Sequence, residues 1–101
     1  MTSSKIAQLQ LLQQNYQGIL TQKQQLESEL MELDSALTET SKTSESYKII
    51  GKIMVLTPKE QIVTELEEKK HTINLRINSF TKQENKIKDN LESLQKEVLS
   101  E

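Results

Sequence analysis

Residues 46–60 read SYKIIGKIMVLTPKE and interrupt a sequence that is otherwise typical of helices. Two segments rich in β-branched and aliphatic residues flank the dipeptide Gly51-Lys52. Glycine at the first of two central positions is typical of a type II′ turn, which joins two antiparallel strands closely. The stretch therefore predicts a β-hairpin over about 46–57. The predicted pairs are Ile50 with Ile53, Ile49 with Met54, Lys48 with Val55, and Tyr47 with Leu56.

Both faces of this predicted hairpin are largely apolar. An isolated two-stranded hairpin is marginally stable in water, and open edges and apolar faces favour association. If one face folded onto the end of the helices, the second face and both edges would still be open. We therefore expect the hairpins of different subunits to pair by β-addition and to build an oligomer. The residues predicted for this assembly are Tyr47, Ile49, Ile50, Gly51, Ile53, Met54, Val55 and Leu56.

Helix signals lie on both sides of the hairpin. After it, Thr57 suits the N-cap position, Pro58 suits the first helical position, and Glu60 completes a T-x-x-E capping box. These residues predict a second helix over about 58–99. Before the hairpin, a long segment rich in Gln, Glu and Leu predicts a first helix over about 4–42.

Both predicted helices follow a seven-residue repeat. Apolar residues occupy the a and d positions, except at Lys23 in the first helix and at Lys70 and Glu84 in the second. A strict repeat of this length predicts a left-handed coiled coil. The a positions are Leu9, Tyr16, Lys23, Leu30, Leu37, Val63, Lys70, Ile77, Glu84, Leu91 and Val98. The d positions are Leu12, Ile19, Leu26, Leu33, Leu66, Ile73, Phe80, Ile87 and Leu94.

The short hairpin connection requires the two helices to run antiparallel. In an antiparallel pair, the numbers of two residues that face each other add up to a constant. A sum of 103 places the a positions of each helix opposite the d positions of the other throughout. Lys23 and Glu84 fall in adjacent layers, where they either form an ion pair that fixes the register or extend separately to solvent. Lys70 is expected to extend to solvent without a partner. The prediction is a mainly α fold, one domain over 1–101 with a long two-helix coiled coil and a central hairpin.

Composition excludes several functional classes. The 101 residues include 13 Lys and Arg and 15 Asp and Glu, a net charge of -2, so we expect no attraction to nucleic acid or membrane. Cysteine is absent, which excludes disulfides and thiolate metal sites and permits a reducing cytoplasm. The first residues contain no long apolar run, so neither a signal peptide nor a membrane span is expected. No phosphate-binding glycine motif is present, and His71 is the one histidine. We therefore expect no enzyme activity, cofactor or metal site.

The order long helix, single hairpin, long helix resembles the β-type subunit of prefoldin, a hexameric co-chaperone of archaea and eukaryotes. The α-type subunit carries two hairpins, so the single hairpin indicates the β-type. Residues 22–30, QKQQLESEL, are similar to the Q-K-Q-x-x-x-x-L run of archaeal members. The hinge pattern Y-K-x-x-G-x-x-x-V is matched by Tyr47, Lys48, Gly51 and Val55, and an E-L-x-x-K run by Glu65, Leu66 and Lys69.

This resemblance implies a specific assembly and activity. The hairpins of two α-type and four β-type subunits would form an oligomeric β-barrel in the cytoplasm, from which the coiled coils project. The distal ends of the coiled coils would hold unfolded client proteins, without nucleotide, for delivery to a group II chaperonin. The residues implied as client-binding helix tips are Ile6, Leu9, Leu12, Leu91, Leu94, Val98 and Leu99.

Two other functions remain open at this point. The first is a structural coiled-coil spacer that binds no client. The second is a prefoldin-like subunit that assembles alone into filaments. Loss of client holding after removal of residues 1–8 and 95–101 would favour the chaperone, and growth of open polymers without an α-type partner would favour the filament.

Overall fold

The computed structural model describes the backbone of residues 2–100 and the side chains of residues 4–100. Its elements in chain order are α1 (Thr2–Lys42), β1 (Ser46–Ile50), β2 (Ile53–Thr57) and α2 (Lys59–Leu99). This order confirms the predicted mainly α fold with two long helices and a central hairpin. The first helix begins slightly earlier than predicted, and the second begins one residue later.

The hairpin has the predicted register. β1 and β2 pair antiparallel, with Ser46 opposite Thr57 at the open end and Ile50 opposite Ile53 beside the turn. Gly51 has a φ of 62°, and no other described residue has a positive φ. A positive φ at the first central position alone is the pattern of a type II′ turn. The turn therefore requires glycine because of this backbone conformation. Lack of space is not the reason, because a Cβ at position 51 would contact nothing within 4 Å.

The start of α2 differs from the predicted capping box. The amide groups of Gln61 and Ile62 both donate to the Pro58 carbonyl oxygen, at 3.1 and 3.2 Å. Pro58 is therefore the N-cap by its backbone bond, one position after the predicted Thr57. The Thr57 hydroxyl instead donates to the Val55 carbonyl oxygen 2.9 Å away. The buried side chain of Thr57 thus bonds within β2 and does not cap α2.

A lysine from α2 closes the end of α1. The Nζ atom of Lys59 donates to the carbonyl oxygens of Ser41 and Thr43, at 3.1 and 3.3 Å. The last carbonyl groups of a helix lack partners within the helix and carry partial negative charge. Lys59 supplies both a donor and a positive charge there, so it ties the end of α1 to the first turn of α2.

The described chain divides into two compact units. Residues 2–26 and 76–100 form one unit, called the terminal unit, and residues 27–75 form the hairpin unit. In the terminal unit, Lys5 pairs with Glu97 at 3.7 Å. In the hairpin unit, Lys70 pairs with Asp34 at 2.8 Å. Further along α1, Lys23 pairs with Glu84 in the terminal unit and Ser41 contacts Lys59 in the hairpin unit. The partner number in α2 falls as the residue number in α1 rises, so within each unit the helices run antiparallel, as predicted.

The seam within each unit follows the predicted repeat. Every predicted a and d position is buried or half-buried. Leu26 and Leu94 are the most shielded apolar side chains, with 4% and 8% of their surface exposed. No described side chain is completely enclosed, because two helices cover only one side of each seam residue. The core of each unit is therefore a narrow stripe between its two helical segments.

Candidate functional site

One face of the hairpin is open to solvent. This outer face combines an aromatic ring with aliphatic side chains, and each of them has at least half of its surface exposed. The values are Tyr47 50%, Ile49 71%, Met54 66% and Leu56 63%. Apolar surface of this kind, on a two-stranded sheet with two free edges, favours β-addition by another chain.

The opposite, inner face is covered only near the helices. There Lys48 reaches α2, and its Nζ atom lies 2.9 Å from Oε1 of Glu65. Towards the turn, Ile50 and Ile53 remain 57% and 66% exposed. The inner face therefore folds onto the helices only at the end of the hairpin away from the turn. Near the turn its apolar side chains stay exposed, so the hairpin offers apolar surface on both faces there.

A small polar cluster anchors the hairpin to α2. The side-chain Nε2 atom of Gln61 donates to the same Glu65 oxygen that Lys48 contacts, at 3.4 Å. Hydrogen bonds from Lys48 and then from Gln61 hold the pKa of Glu65 below its ordinary value of 4.5, because both favour the carboxylate. Sequence reasoning missed this cluster, since Lys48 and Glu65 are far apart in the chain and meet only once the hairpin is oriented.

The predicted tip residues fall into two groups. Ile6 and Leu99 lie outside the a and d positions, and they are 41% and 86% exposed. Leu94 is buried in the seam. The remaining members are half-buried seam residues, namely Leu9, Leu12, Leu91 and Val98. Free apolar surface in the predicted set is therefore concentrated at Ile6 and Leu99, and the role of the set in client binding stays a prediction.

Two of the polar seam positions form an ion pair. The Nζ atom of Lys23 lies 2.9 Å from Oε2 of Glu84, and these side chains are only 21% and 19% exposed. Of the two interpretations left open by the sequence, the ion pair is the one observed. Shielding from water makes such a pair sensitive to the loss of either partner.

The prediction for Lys70 was wrong. Its ammonium group bonds to Asp34, which holds the pKa of Lys70 above its ordinary value of 10.5. Asp34 flanks the seam at an e position, and the prediction considered only the facing d residue, Leu33. Residues at e and g positions commonly reach charged groups across a coiled coil, so this signal was available in the sequence.

The described residues form neither a cluster of metal ligands nor a membrane-spanning helix. Residues 4–100 contain no group of three or more His, Asp and Glu side chains placed to hold a metal ion. Between residues 2 and 100, no helix is long and apolar enough to cross a membrane.

Comparison with known proteins identifies the family. The sequence model described as prefoldin subunit matches residues 3–100. The chain belongs to the prefoldin family. Prefoldin subunit beta of Archaeoglobus fulgidus is 38% identical over 96 residues, covering 92% of this chain and 83% of the relative. Prefoldin subunit beta of Sulfurisphaera tokodaii is 38% identical over 98 residues, covering 94% and 78%.

A solved prefoldin structure has the same fold. The crystal structure of the prefoldin beta subunit from Thermococcus strain KS-1 matches with a TM-score of 0.93 and 33% identity, over 98% of this chain and 90% of that one. These similarities confirm the resemblance to the β-type subunit that the single hairpin indicated. Membership of the prefoldin family assigns the chain a chaperone-type function.

Proposed function

We propose that this chain is the β-type subunit of a hexameric, ATP-independent holdase in the cytoplasm. Its partners are α-type subunits and further copies of itself. The complex captures unfolded proteins at the helix tips and delivers them to a group II chaperonin. It performs no chemistry of its own, so its work is binding, and binding depends on exposed apolar surface.

The open hairpin is the observation that carries this proposal. Its apolar side chains are between 40% and 71% exposed, which is costly for a protein that stays monomeric in water. Pairing with other hairpins would satisfy the free strand edges and bury these side chains together. Similarity to β subunits along almost the whole chain supports the same role for this hairpin.

The exposed apolar residues near the helix termini support client holding. A spacer needs apolar residues at seam positions, but Ile6 and Leu99 lie outside the seam and still expose aliphatic surface. One such contact is weak. Several subunits in one complex would offer several contacts at once, and multivalent binding can raise the overall affinity by orders of magnitude.

A matched pair of double variants tests client holding. Ile6→Ser/Leu99→Ser removes exposed apolar surface from the tip set. Met31→Ser/Leu75→Ser removes similar surface from the hairpin unit, where these residues are 71% and 56% exposed and lie outside the seam. Each variant is assembled with an α-type partner, and its suppression of the aggregation of a denatured test protein is followed by light scattering.

The tip variant should suppress aggregation less well than wild type, while the control variant should match wild type. Both should keep the oligomeric mass of the wild-type complex, since neither changes the hairpin. Equal suppression by wild type and tip variant would contradict client holding at Ile6 and Leu99 and would favour the spacer function.

A further inference from the structure

An open groove runs beside the seam in the hairpin unit. Its volume is about 830 Å³, and α1, α2 and β1 all contribute to its walls. Three half-buried apolar side chains, Leu33, Ala36 and Ile73, contribute apolar surface to it. Lys48 of β1 also lines it, so the groove borders the hairpin. No proposed function of the hairpin or of the tip residues uses this surface.

The charged side chains of the groove are predominantly acidic. Glu29 and Glu32 line it from α1, and Glu65 and Glu68 line it from α2. The two cations present are Lys48, which is paired with Glu65, and Lys69. The hairpin unit as a whole has ten acidic side chains against six lysines, so its surroundings reinforce this negative charge. An occupant of the groove should therefore carry positive charge.

The dimensions indicate what kind of occupant fits. The lining residues extend from 29 to 36 on α1 and from 65 to 73 on α2, which is about 10 to 12 Å at the helical rise of about 1.5 Å per residue. An extended peptide covers this length in three or four residues at about 3.3 Å each. Its alternate side chains point to opposite faces, so aliphatic groups on one face can enter the groove. The Lys or Arg side chains of the other face have long flexible stems, which can carry their charges back to the carboxylates on the groove walls.

We propose that this groove docks a short extended segment of another polypeptide, in which Lys or Arg alternates with aliphatic residues. Apolar contact with the three apolar side chains gives part of the affinity. The carboxylates on both helices select for positive charge and against negative charge. This site is separate from the tip residues, and it does not depend on the proposed holdase activity.

The test measures binding of two synthetic peptides to the full-length chain by fluorescence anisotropy. One labelled peptide alternates Leu with Lys over eight residues, and the other alternates Leu with Glu. The first should bind, with affinity that falls as salt is raised, and the second should not. Equal binding of both peptides would overturn the proposal, because apolar contact alone would then explain it.

Matched variants locate the binding. Glu32→Gln/Glu68→Gln removes one carboxylate from each wall of the groove, and Glu27→Gln/Glu67→Gln removes the same charge from outside it. The groove variant should bind the basic peptide about three- to tenfold more weakly, since exposed ion pairs are individually modest. The control should bind within about twofold of wild type. Equal losses in both variants would show a general charge effect and refute the site.

A steric variant and a tip variant complete the test. Ala36→Gln adds bulk to the groove, whereas Ser35→Gln adds it at a neighbouring exposed position. Only Ala36→Gln should weaken binding of the basic peptide. Ile6→Ser/Leu99→Ser should leave that binding unchanged. If the tip variant abolishes binding, the peptide binds at the tip and the groove proposal fails, whatever the outcome of the aggregation assay.

Discussion

The Lys23–Glu84 pair gives the sharpest prediction about stability. At 2.9 Å the gross attraction is about 6 kcal/mol at an effective dielectric constant of about 20, but desolvation of both groups offsets most of it. Exposed pairs contribute about 0.2–1 kcal/mol, and breaking a fully buried pair costs about 3–5 kcal/mol. With about a fifth of each side chain exposed, this pair lies between those limits.

We expect Lys23→Met to lower the free energy of unfolding by about 2 kcal/mol, because Glu84 keeps a shielded charge without this partner. Glu84→Leu should cost less, about 1 kcal/mol, because the long stem of Lys23 can carry its charge to solvent. The double variant restores an apolar layer and should lie within about 1 kcal/mol of wild type. The coupling energy of the cycle is therefore about 2–4 kcal/mol.

Urea unfolding followed by helical circular dichroism, at one protein concentration, measures all four proteins. The same cycle at Asp34 and Lys70, where both side chains are more exposed, is the control and should give a smaller coupling. Additive single effects at Lys23 and Glu84 would show that the two side chains do not stabilise each other. They would mean that the seam pair contributes no more than two separate solvated side chains.

Three further predictions concern the turn, the seam and the hairpin anchor. Gly51→Ala should cost about 1–2 kcal/mol in urea unfolding, because alanine disfavours the positive φ of the turn. Leu26→Ala should cost about 2–4 kcal/mol, whereas Leu11→Ala, at a site 58% exposed, should cost less than about 1 kcal/mol. The depressed pKa of Glu65 contributes stability that is present above pH 4.5, the ordinary pKa, and is lost as pH falls through the folded pKa. The urea midpoint of Glu65→Gln should therefore change less on acidification than that of wild type.

The features that were predictable from sequence depend on short-range periodicity. The turn glycine determined the hairpin register, and the seven-residue repeat located the seam positions, because backbone geometry links residue spacing directly to faces of strands and helices. The N-cap was misplaced by one residue because the Thr57 hydroxyl bonds to Val55 of β2 instead. That bond depends on the path of the chain between β2 and α2, which the capping motif does not contain.

Contacts between residues that are far apart in the sequence were harder to predict. The Lys48–Glu65 and Lys59–Ser41 contacts depend on how the hairpin and helix ends are oriented, and no residue spacing encodes that orientation. The groove was missed for the same reason, since its walls come from three elements. The tip set was predicted from the family resemblance, although the repeat itself places Leu94 at a d position in the seam and leaves Ile6 and Leu99 outside it.

In the proposed function, the hairpin assembles this chain into a defined complex with α-type subunits. Native mass spectrometry of the chain mixed with an α-type partner tests this assembly, using wild type, Ile49→Thr/Met54→Thr on the outer face, and Met31→Ser/Leu75→Ser as control. Threonine is well tolerated in strands, so the hairpin variant removes apolar surface and leaves the strands able to form. Wild type and control should give a closed six-chain species, and the hairpin variant should give mainly smaller species. A six-chain species that the hairpin variant still forms in full, or open-ended polymers of wild type without a partner, would contradict assembly of a defined complex through the hairpin.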